Sequence, residues 1–181
     1  MNVTNNNTTN NDKLLTILFK NPNEAEQAFD YLIAEGFNKD DITVIMSNAT
    51  RDKNFKDKEL PEDSLGTKAT EGMGIGGAVG GTIGAIAAAI AAIGTSLVLP
   101  GIGMVIAGPI AASLAGAGAG SAVGGIVGAL VGSGIPDEEA KRYEDDIKAG
   151  GILLGIKTSN EKYNIIHNEL KRLNNSNPIV S

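Results

Sequence analysis

The amino-acid sequence predicts an α+β domain that is interrupted by a long pair of helices. Short apolar runs and amphipathic stretches alternate at both ends of the 181-residue chain, a pattern typical of strands and helices that share one core. Between these ends, residues 72–136 contain no charged side chain and 19 of the 24 glycines. We therefore expect two halves of an α/β unit that are separated by an inserted segment.

The first half, residues 13–47, has the pattern of a strand, a helix and a second strand. An apolar run predicts the first strand, and Asn21 and Pro22 then supply an N-cap and a first helical residue. Apolar side chains recur at helical spacing until Gly36, a residue type that commonly ends helices. The β-branched run Ile42–Met46 predicts the second strand.

The second half, residues 136–174, has the pattern of a helix, a strand and a helix. Three acidic residues at 137–139 place negative charge at the positive end of the first helix dipole. The apolar run at 152–157 predicts a strand, and Tyr143 and Tyr163 are expected to face the core. The remaining segments are a charged linker at 48–70, expected to become helical only near its end, and polar tails at 1–12 and 175–181 without regular structure.

With the central segment removed, the order β-α-β followed by α-β-α resembles a truncated ferredoxin-like α+β sandwich. A sheet of three strands has an exposed edge, and exposed edges favour pairing with a second copy of the chain.

The central segment is predicted to be a glycine-zipper helical hairpin over residues 71–135. Small residues that recur every four positions lie on one face of a helix and let two helices approach closely. Pro100 and Gly101 supply the predicted hairpin turn between the two helices. The zipper glycines of the first helix are Gly72, Gly76, Gly80 and Gly84, and those of the second are Gly108, Gly116, Gly120, Gly124, Gly128 and Gly132.

Three interpretations of the hairpin compete. Each arm of about 27 residues is long enough to cross a bilayer, so the hairpin could insert in a membrane and contact lipid. The acidic flanks at Glu71 and 137–139 oppose insertion, because lysine and arginine normally flank the cytoplasmic side. Alternatively, hairpins from several copies pack into a soluble or filamentous oligomer, or the hairpin folds against its own sheet.

The composition argues against most chemistry. The net charge of −6 opposes nucleic-acid binding, and the absence of cysteine with a single histidine opposes a metal centre. The GxGxxG match at residues 72–77 follows a charged linker rather than a strand, so it does not predict a dinucleotide site. His167 is expected to be a half-buried or surface residue. The sequence thus predicts no catalytic residue, metal, cofactor or small-molecule substrate.

Three segments carry a resemblance to a known family: GFNKDDITVI at 36–45, LPGIGMVIAGPIAASLAGA at 99–117 and GIPDEEAKRYEDDIKAGGILLGI at 134–156. Together they resemble bacterial general-stress or heat-induced stress proteins with a glycine-rich hydrophobic centre. The resemblance implies a stress-inducible, non-enzymatic protein and brings no catalytic residues.

These observations predict a non-enzymatic structural protein that self-associates as a homo-oligomer through its zipper hairpin. Its expected location is the cytoplasm or the cytoplasmic face of the membrane. The alternative is a soluble regulatory α/β module that dimerises through its sheet edge and binds a small ligand.

Overall fold

The structure of the protein is a computed structural model, which describes residues 12–55, 86, 97–99, 103–111 and 125–174. The two predicted polar tails, apart from Asp12, lie outside these residues, as does the greater part of the predicted linker.

The described parts of the chain form both strands and helices. The strands are β1 (Lys13–Phe19), β2 (Ile42–Ser47), β3 (Leu97–Leu99), β4 (Met104–Ala107) and β5 (Ile152–Thr158). The helices are α1 (Pro22–Ala34), α2 (Asn48–Asn54), α3 (Gly125–Gly132), α4 (Asp137–Lys148) and α5 (Asn160–Asn174), and a 3-10 turn covers Lys39–Asp41. These elements confirm the predicted α+β class.

The five strands form one antiparallel sheet in the order β1-β5-β2-β4-β3. Strand β5 lies between β1 and β2, so the two strands of the first half are parallel to each other without being neighbours. The sequence led us to expect three strands, and the two additional strands, β3 and β4, come from the central segment.

Helices cover both faces of the sheet. One face packs against α1 and α5 around a core that includes Phe19, Phe29 and Leu154, each at most 1% exposed. The other face packs against α3 and α4 through Leu130 and Ile147, both fully buried. Burial on both faces explains why β2 and β5 are almost continuously apolar.

The local signals at α1 are confirmed. The Asn21 side chain accepts a hydrogen bond from the Asn23 amide at 3.0 Å, and Pro22 is the first helical residue. Gly36 has a φ of +92°, and its amide donates to the Ile33 carbonyl at 3.0 Å. The chain therefore leaves the helix through the left-handed conformation that glycine adopts without strain.

The central segment differs from the predicted helical hairpin in the described residues beside Pro100 and Gly101. The residues on either side of that dipeptide are strands β3 and β4, and Leu99 pairs with Met104. The chain reverses between these two residues, while Pro100 and Gly101 lie outside the described residues. Uniformly apolar sequence fits a buried strand as well as a buried helix, which is why the helical assignment was wrong here.

Gly108 is likewise not a zipper residue on a helix. It follows β4 with a φ of +86°, and helical residues begin only at 109. A Cβ at this position would lie 2.4 Å from the Ile42 carbonyl oxygen. Glycine is thus required because β2 passes too close for any side chain and because the backbone is left-handed.

The predicted linker begins with a helix, contrary to the expectation of helix only near its end. Helix α2 starts directly after β2, where the Ser47 hydroxyl caps the helix by accepting from the Thr50 amide at 3.0 Å. The aromatic ring that follows the helix, Phe55, is 1% exposed and belongs to the core beneath α1. This part of the predicted linker is therefore part of the folded domain.

Described parts of the central segment pack against the domain itself. Ile86 is fully buried in the core beneath α1, and its amide donates a hydrogen bond to Glu26 Oε2 at 3.1 Å. Helix α3 covers the opposite face of the sheet. Of the three interpretations, these contacts favour the hairpin segment folding against its own sheet. None of the helices within the described ranges has the length and apolar character needed to span a bilayer.

We expect Gly108→Ala to destabilise the protein far more than Gly103→Ala. Both glycines have positive φ, at +86° and +67°, but a Cβ on Gly103 would meet open space. Gly103→Ala should therefore cost about 1–2 kcal/mol of conformational strain, whereas Gly108→Ala should cost about 3 kcal/mol or more because β2 must also move. Urea unfolding measures both. Equal losses of unfolding free energy in the two variants would contradict the close approach of β2 to Gly108.

Candidate functional site

The free side of β1 is an open edge of the sheet. Strand β1 pairs with β5 along one side, and no strand of the described residues pairs with its other side. The Leu18 carbonyl accepts a hydrogen bond from Asn174 Nδ2 at 3.1 Å, which shows that this carbonyl points away from β5. Because direction alternates along a strand, the amides and carbonyls of Leu14 and Thr16 point outward as well.

A groove of about 390 Å³ follows this edge. Its floor is formed by β1 residues Leu14, Thr16 and Ile17. Because α4 and α5 lie on opposite faces of the sheet, a groove that both helices line must straddle the edge. We call it the edge groove. Its α4 wall consists of residues 134–136, Glu139 and Tyr143. Its α5 wall consists of Tyr163, His167, Lys171 and Asn174.

The α4 wall is tied to β1 by a chain of hydrogen bonds. The Tyr143 hydroxyl donates to Glu139 Oε1 at 2.8 Å and lies 3.2 Å from Thr16 Oγ1, which can donate to it. Burial raises the pKa of Tyr143 to about 12, and the hydrogen bond to Glu139 adds to the rise. The phenol is therefore neutral at physiological pH and acts as a positioning contact between α4 and the edge strand.

The α5 wall has a mixed aromatic and cationic character. The rings of Tyr163 and His167 are 5.7 Å apart between centroids, and the Lys13 ammonium group lies 5.7 Å from the Tyr163 ring centroid. On α5, Tyr163 and His167 recur at helical spacing with Lys171 and Asn174, so one stripe of this helix faces the groove. Such a wall offers stacking and cation–π contacts beside the backbone edge.

Two tyrosines that were predicted to face the core pack against it and also line the edge groove. Both Tyr143 and Tyr163 are half-buried, and the Tyr143 hydroxyl bonds to Glu139 and Thr16 at the groove. The amphipathic spacing correctly placed them on the inner faces of their helices. The spacing could not show that these faces end at an open strand edge, because the periodicity within a helix carries no information about strand order.

Two of the predicted zipper glycines do lie on a helix. Gly128 and Gly132 lie on α3, both exposed, and a Cβ at either position would meet nothing within 4 Å. Val131 beside them is 41% exposed. The predicted zipper glycines that lie outside the described residues are Gly72, Gly76, Gly80, Gly84, Gly116, Gly120 and Gly124.

The other candidate sites are a metal cluster, the histidine and a second cavity. Across the ranges that the structure describes, no group of three His, Asp or Glu side chains is placed to hold a metal ion. His167, the single histidine, is half-buried on the α5 wall as expected. A second cavity, of about 130 Å³ beside Pro109 and Lys157, is well below the volume usual for small-molecule sites.

Comparisons with known proteins give no family assignment. No family model, curated protein or solved structure matches the chain. The resemblance to bacterial stress proteins therefore stays a prediction from the sequence, and the edge groove is the feature from which a function can be inferred.

We expect Gly128→Ala to raise the free energy of unfolding by about 0.5–1 kcal/mol, because alanine favours a helix interior and the added methyl group meets open space. Thermal or urea unfolding measures the change. Gly151→Ala is the control that should destabilise, since its Cβ would lie 2.9 Å from the Asp146 carbonyl oxygen. A loss of stability in Gly128→Ala would indicate that another helix already packs on this face.

We expect the stability of the protein to fall between pH 10 and about 12. The folded pKa of Tyr143 is about 12 against an ordinary value of 10.0, so the unfolded chain loses its phenol proton first as the pH rises. The contribution of Tyr143 to the free energy of unfolding is complete below pH 10 and is lost as the pH rises toward 12. Urea unfolding across this range should show a shallower slope for Tyr143→Phe.

A residual slope is expected in Tyr143→Phe from Tyr31, whose pKa is also raised, chiefly by burial. An unchanged slope in Tyr143→Phe would show that its hydroxyl is solvated rather than held between Glu139 and Thr16.

Proposed function

We propose that this protein is a non-enzymatic structural protein that self-associates through the edge groove. The observation that carries the proposal is the outward-pointing backbone of β1, a row of donors and acceptors that no strand of the described residues satisfies. Strand addition at such an edge supplies hydrogen bonds along its whole length. The second copy of the chain is the partner that is always present at matching concentration.

Antiparallel pairing of two β1 strands is well suited to this edge. Thr16 is the central residue of β1, so a two-fold axis at Thr16 places Thr16 opposite its counterpart and Leu14 opposite Leu18. These are the outward-pointing residues, and they can therefore exchange hydrogen bonds. The same axis places Lys13 opposite Phe19, which keeps the two lysines at opposite ends.

A more specific fold assignment also favours a second copy of the chain as the partner. We propose that the domain is a ferredoxin-like sandwich that lacks its last strand, since β5 lies between β1 and β2 as in that arrangement. In a complete sandwich the missing strand would follow the second helix and pair with β1. Its place is the edge groove, which a second copy can fill.

The glycine zipper remains a proposal for a second contact between copies. Gly128 and Gly132 leave a smooth, open strip on α3 beside the exposed Val131, the kind of surface on which another helix packs closely. A bacterial stress role and membrane association rest on the sequence alone. Their support is the resemblance and the uncharged segment at residues 72–136.

We expect Thr16→Pro to weaken self-association by about tenfold or more. Proline removes the outward amide of Thr16 from each copy, and two lost hydrogen bonds of about 0.5–1.5 kcal/mol each correspond to roughly that factor. The bonds between β1 and β5 do not use this amide. Sedimentation equilibrium over a wide concentration range measures the dissociation constant.

Thr16→Val is the matched control, because it keeps the backbone amide and loses only the hydroxyl that meets Tyr143. It should associate like the wild type, and circular dichroism of the dilute proteins verifies that both variants are folded. If Thr16→Pro associates as tightly as Thr16→Val, the edge strand is not the contact between copies.

A further inference from the structure

We propose that the Asn174 side chain limits self-association, because it occupies a backbone acceptor of β1 that a second copy of the chain needs. This inference rests on the proposed function, since it names the residue that regulates the same edge. Asn174 is the last residue of α5 and lies at the C-terminal end of the edge groove.

The contact is a hydrogen bond from a side chain to the free side of β1. Asn174 donates from Nδ2 to the Leu18 carbonyl at 3.1 Å, and this carbonyl points away from β5. Within the described ranges, no other hydrogen bond reaches the outward amides and carbonyls of Leu14, Thr16 and Leu18. We call the bond between Asn174 and Leu18 the edge latch.

The last turn of α5 holds Asn174 in position for this bond. Leu170, one turn earlier, is 1% exposed, and Leu173 is partly buried against the same core. Because these two leucines fix the end of the helix against the sheet, the Asn174 side chain loses little further conformational freedom when it bonds to Leu18. The edge latch is therefore preorganised in each copy.

The register of the proposed dimer makes the Leu18 carbonyl a required acceptor. A two-fold axis at Thr16 places Leu14 of the second copy opposite Leu18, and two residues in such an antiparallel pair exchange amide-to-carbonyl bonds. The incoming Leu14 amide and the Asn174 side chain therefore compete for the outward side of one oxygen. The symmetry doubles the effect, because each copy carries the same latch.

The N-terminal end of the edge is not closed in this way. There the Lys13 ammonium group lies 5.7 Å from the Tyr163 ring centroid, a contact that uses the side chain and leaves the backbone of Leu14 free to pair. Each pair of Leu14 with Leu18 thus joins an open residue to a latched one. Proteins commonly limit pairing at an exposed strand edge by such local protection.

The size of the effect follows from the two latches of a dimer. A single intramolecular hydrogen bond shifts an equilibrium by about two- to tenfold. Formation of the symmetric dimer displaces two of them, so their effects on the dissociation constant multiply. Removal of the latch should therefore tighten self-association by about fivefold or more.

The first test compares Asn174→Ala with Asn168→Ala in the full chain. Asn168 is exposed on the same helix, so its replacement removes the same side chain without touching β1. Sedimentation equilibrium should show a dissociation constant about fivefold or more below the wild-type value for Asn174→Ala and an unchanged value for Asn168→Ala. Circular dichroism verifies folding, and Asn174→Ser is a second variant whose polar group ends one bond sooner.

An unchanged dissociation constant in Asn174→Ala, with Thr16→Pro still weakening association, would overturn the edge latch and leave the edge contact intact. A weaker dimer in Asn174→Ala would also overturn it, because Asn174 would then be part of the contact between copies.

The second test observes the Asn174 side-chain amide by NMR. In dilute, monomeric wild type, its bonded proton should exchange with water about two- to tenfold more slowly than the side-chain amide protons of Asn168, because the hydrogen bond must break before exchange occurs. Raising the protein concentration above the dissociation constant should lower this protection, since the second copy then takes the carbonyl. Protection that persists in the dimer would overturn the competition.

Equal exchange rates for Asn174 and Asn168 in the monomer would overturn the edge latch whatever the oligomeric state. The measurement on the monomer does not depend on self-association. A protected Asn174 amide in a chain that stays monomeric, with and without Asn174→Ala, would therefore count against the proposed function alone.

Discussion

Strand β5 hydrogen-bonds to β1 on one side and to β2 on the other, and the rest of the domain is arranged around that placement. Gly155 at its middle faces Thr16 on one side and Thr43 on the other, and a Cβ there would lie only 3.3 Å from Thr16. Since β1 and β2 are parallel and do not touch each other, β1 joins the strands β2, β4 and β3 only through β5. The described strands of the central segment, β3 and β4, extend the same sheet beyond β2.

The two helical layers decide where the sheet remains accessible. Helices α1 and α5 bury one face and α3 and α4 bury the other, so the faces offer little apolar surface to a partner. The edge of β1 is different, because α4 and α5 stand on either side of it without closing it. A partner at this position gains backbone hydrogen bonds and side-chain contacts from both walls.

The elements with local signals were predictable from the sequence. Asn21, Pro22 and Gly36 specify the ends of α1 through backbone geometry, and the acidic first turn of α4 follows from the helix dipole. An open edge of the sheet was also predicted, but the strand that forms this edge was not. Strand order depends on contacts between distant residues, and periodicity within one element carries no information about them.

The part of the central segment that forms β4 was mispredicted for a physical reason. Where every residue is apolar or small, helical and strand periodicities are both satisfied, and the four-residue glycine spacing favoured the helix. Gly108 has a different role: it is small because the Ile42 carbonyl passes beside it. Spacing alone does not distinguish a glycine that packs helices from one that accommodates a neighbouring strand. The buried contact between Ile86 and Glu26 is similarly invisible in either local pattern.

The position of β5 also sets an order of events during synthesis. Residues 48–151 separate the end of β2 from the start of β5, and a ribosome adds about 5–20 residues per second. Strands β1 and β2 therefore leave the ribosome roughly 5–20 s before their shared neighbour exists. During that interval both present unpaired backbone, and the apolar segment that follows them emerges next. The nascent chain is thus most exposed to misassembly in this interval, and a slower elongation rate would lengthen it.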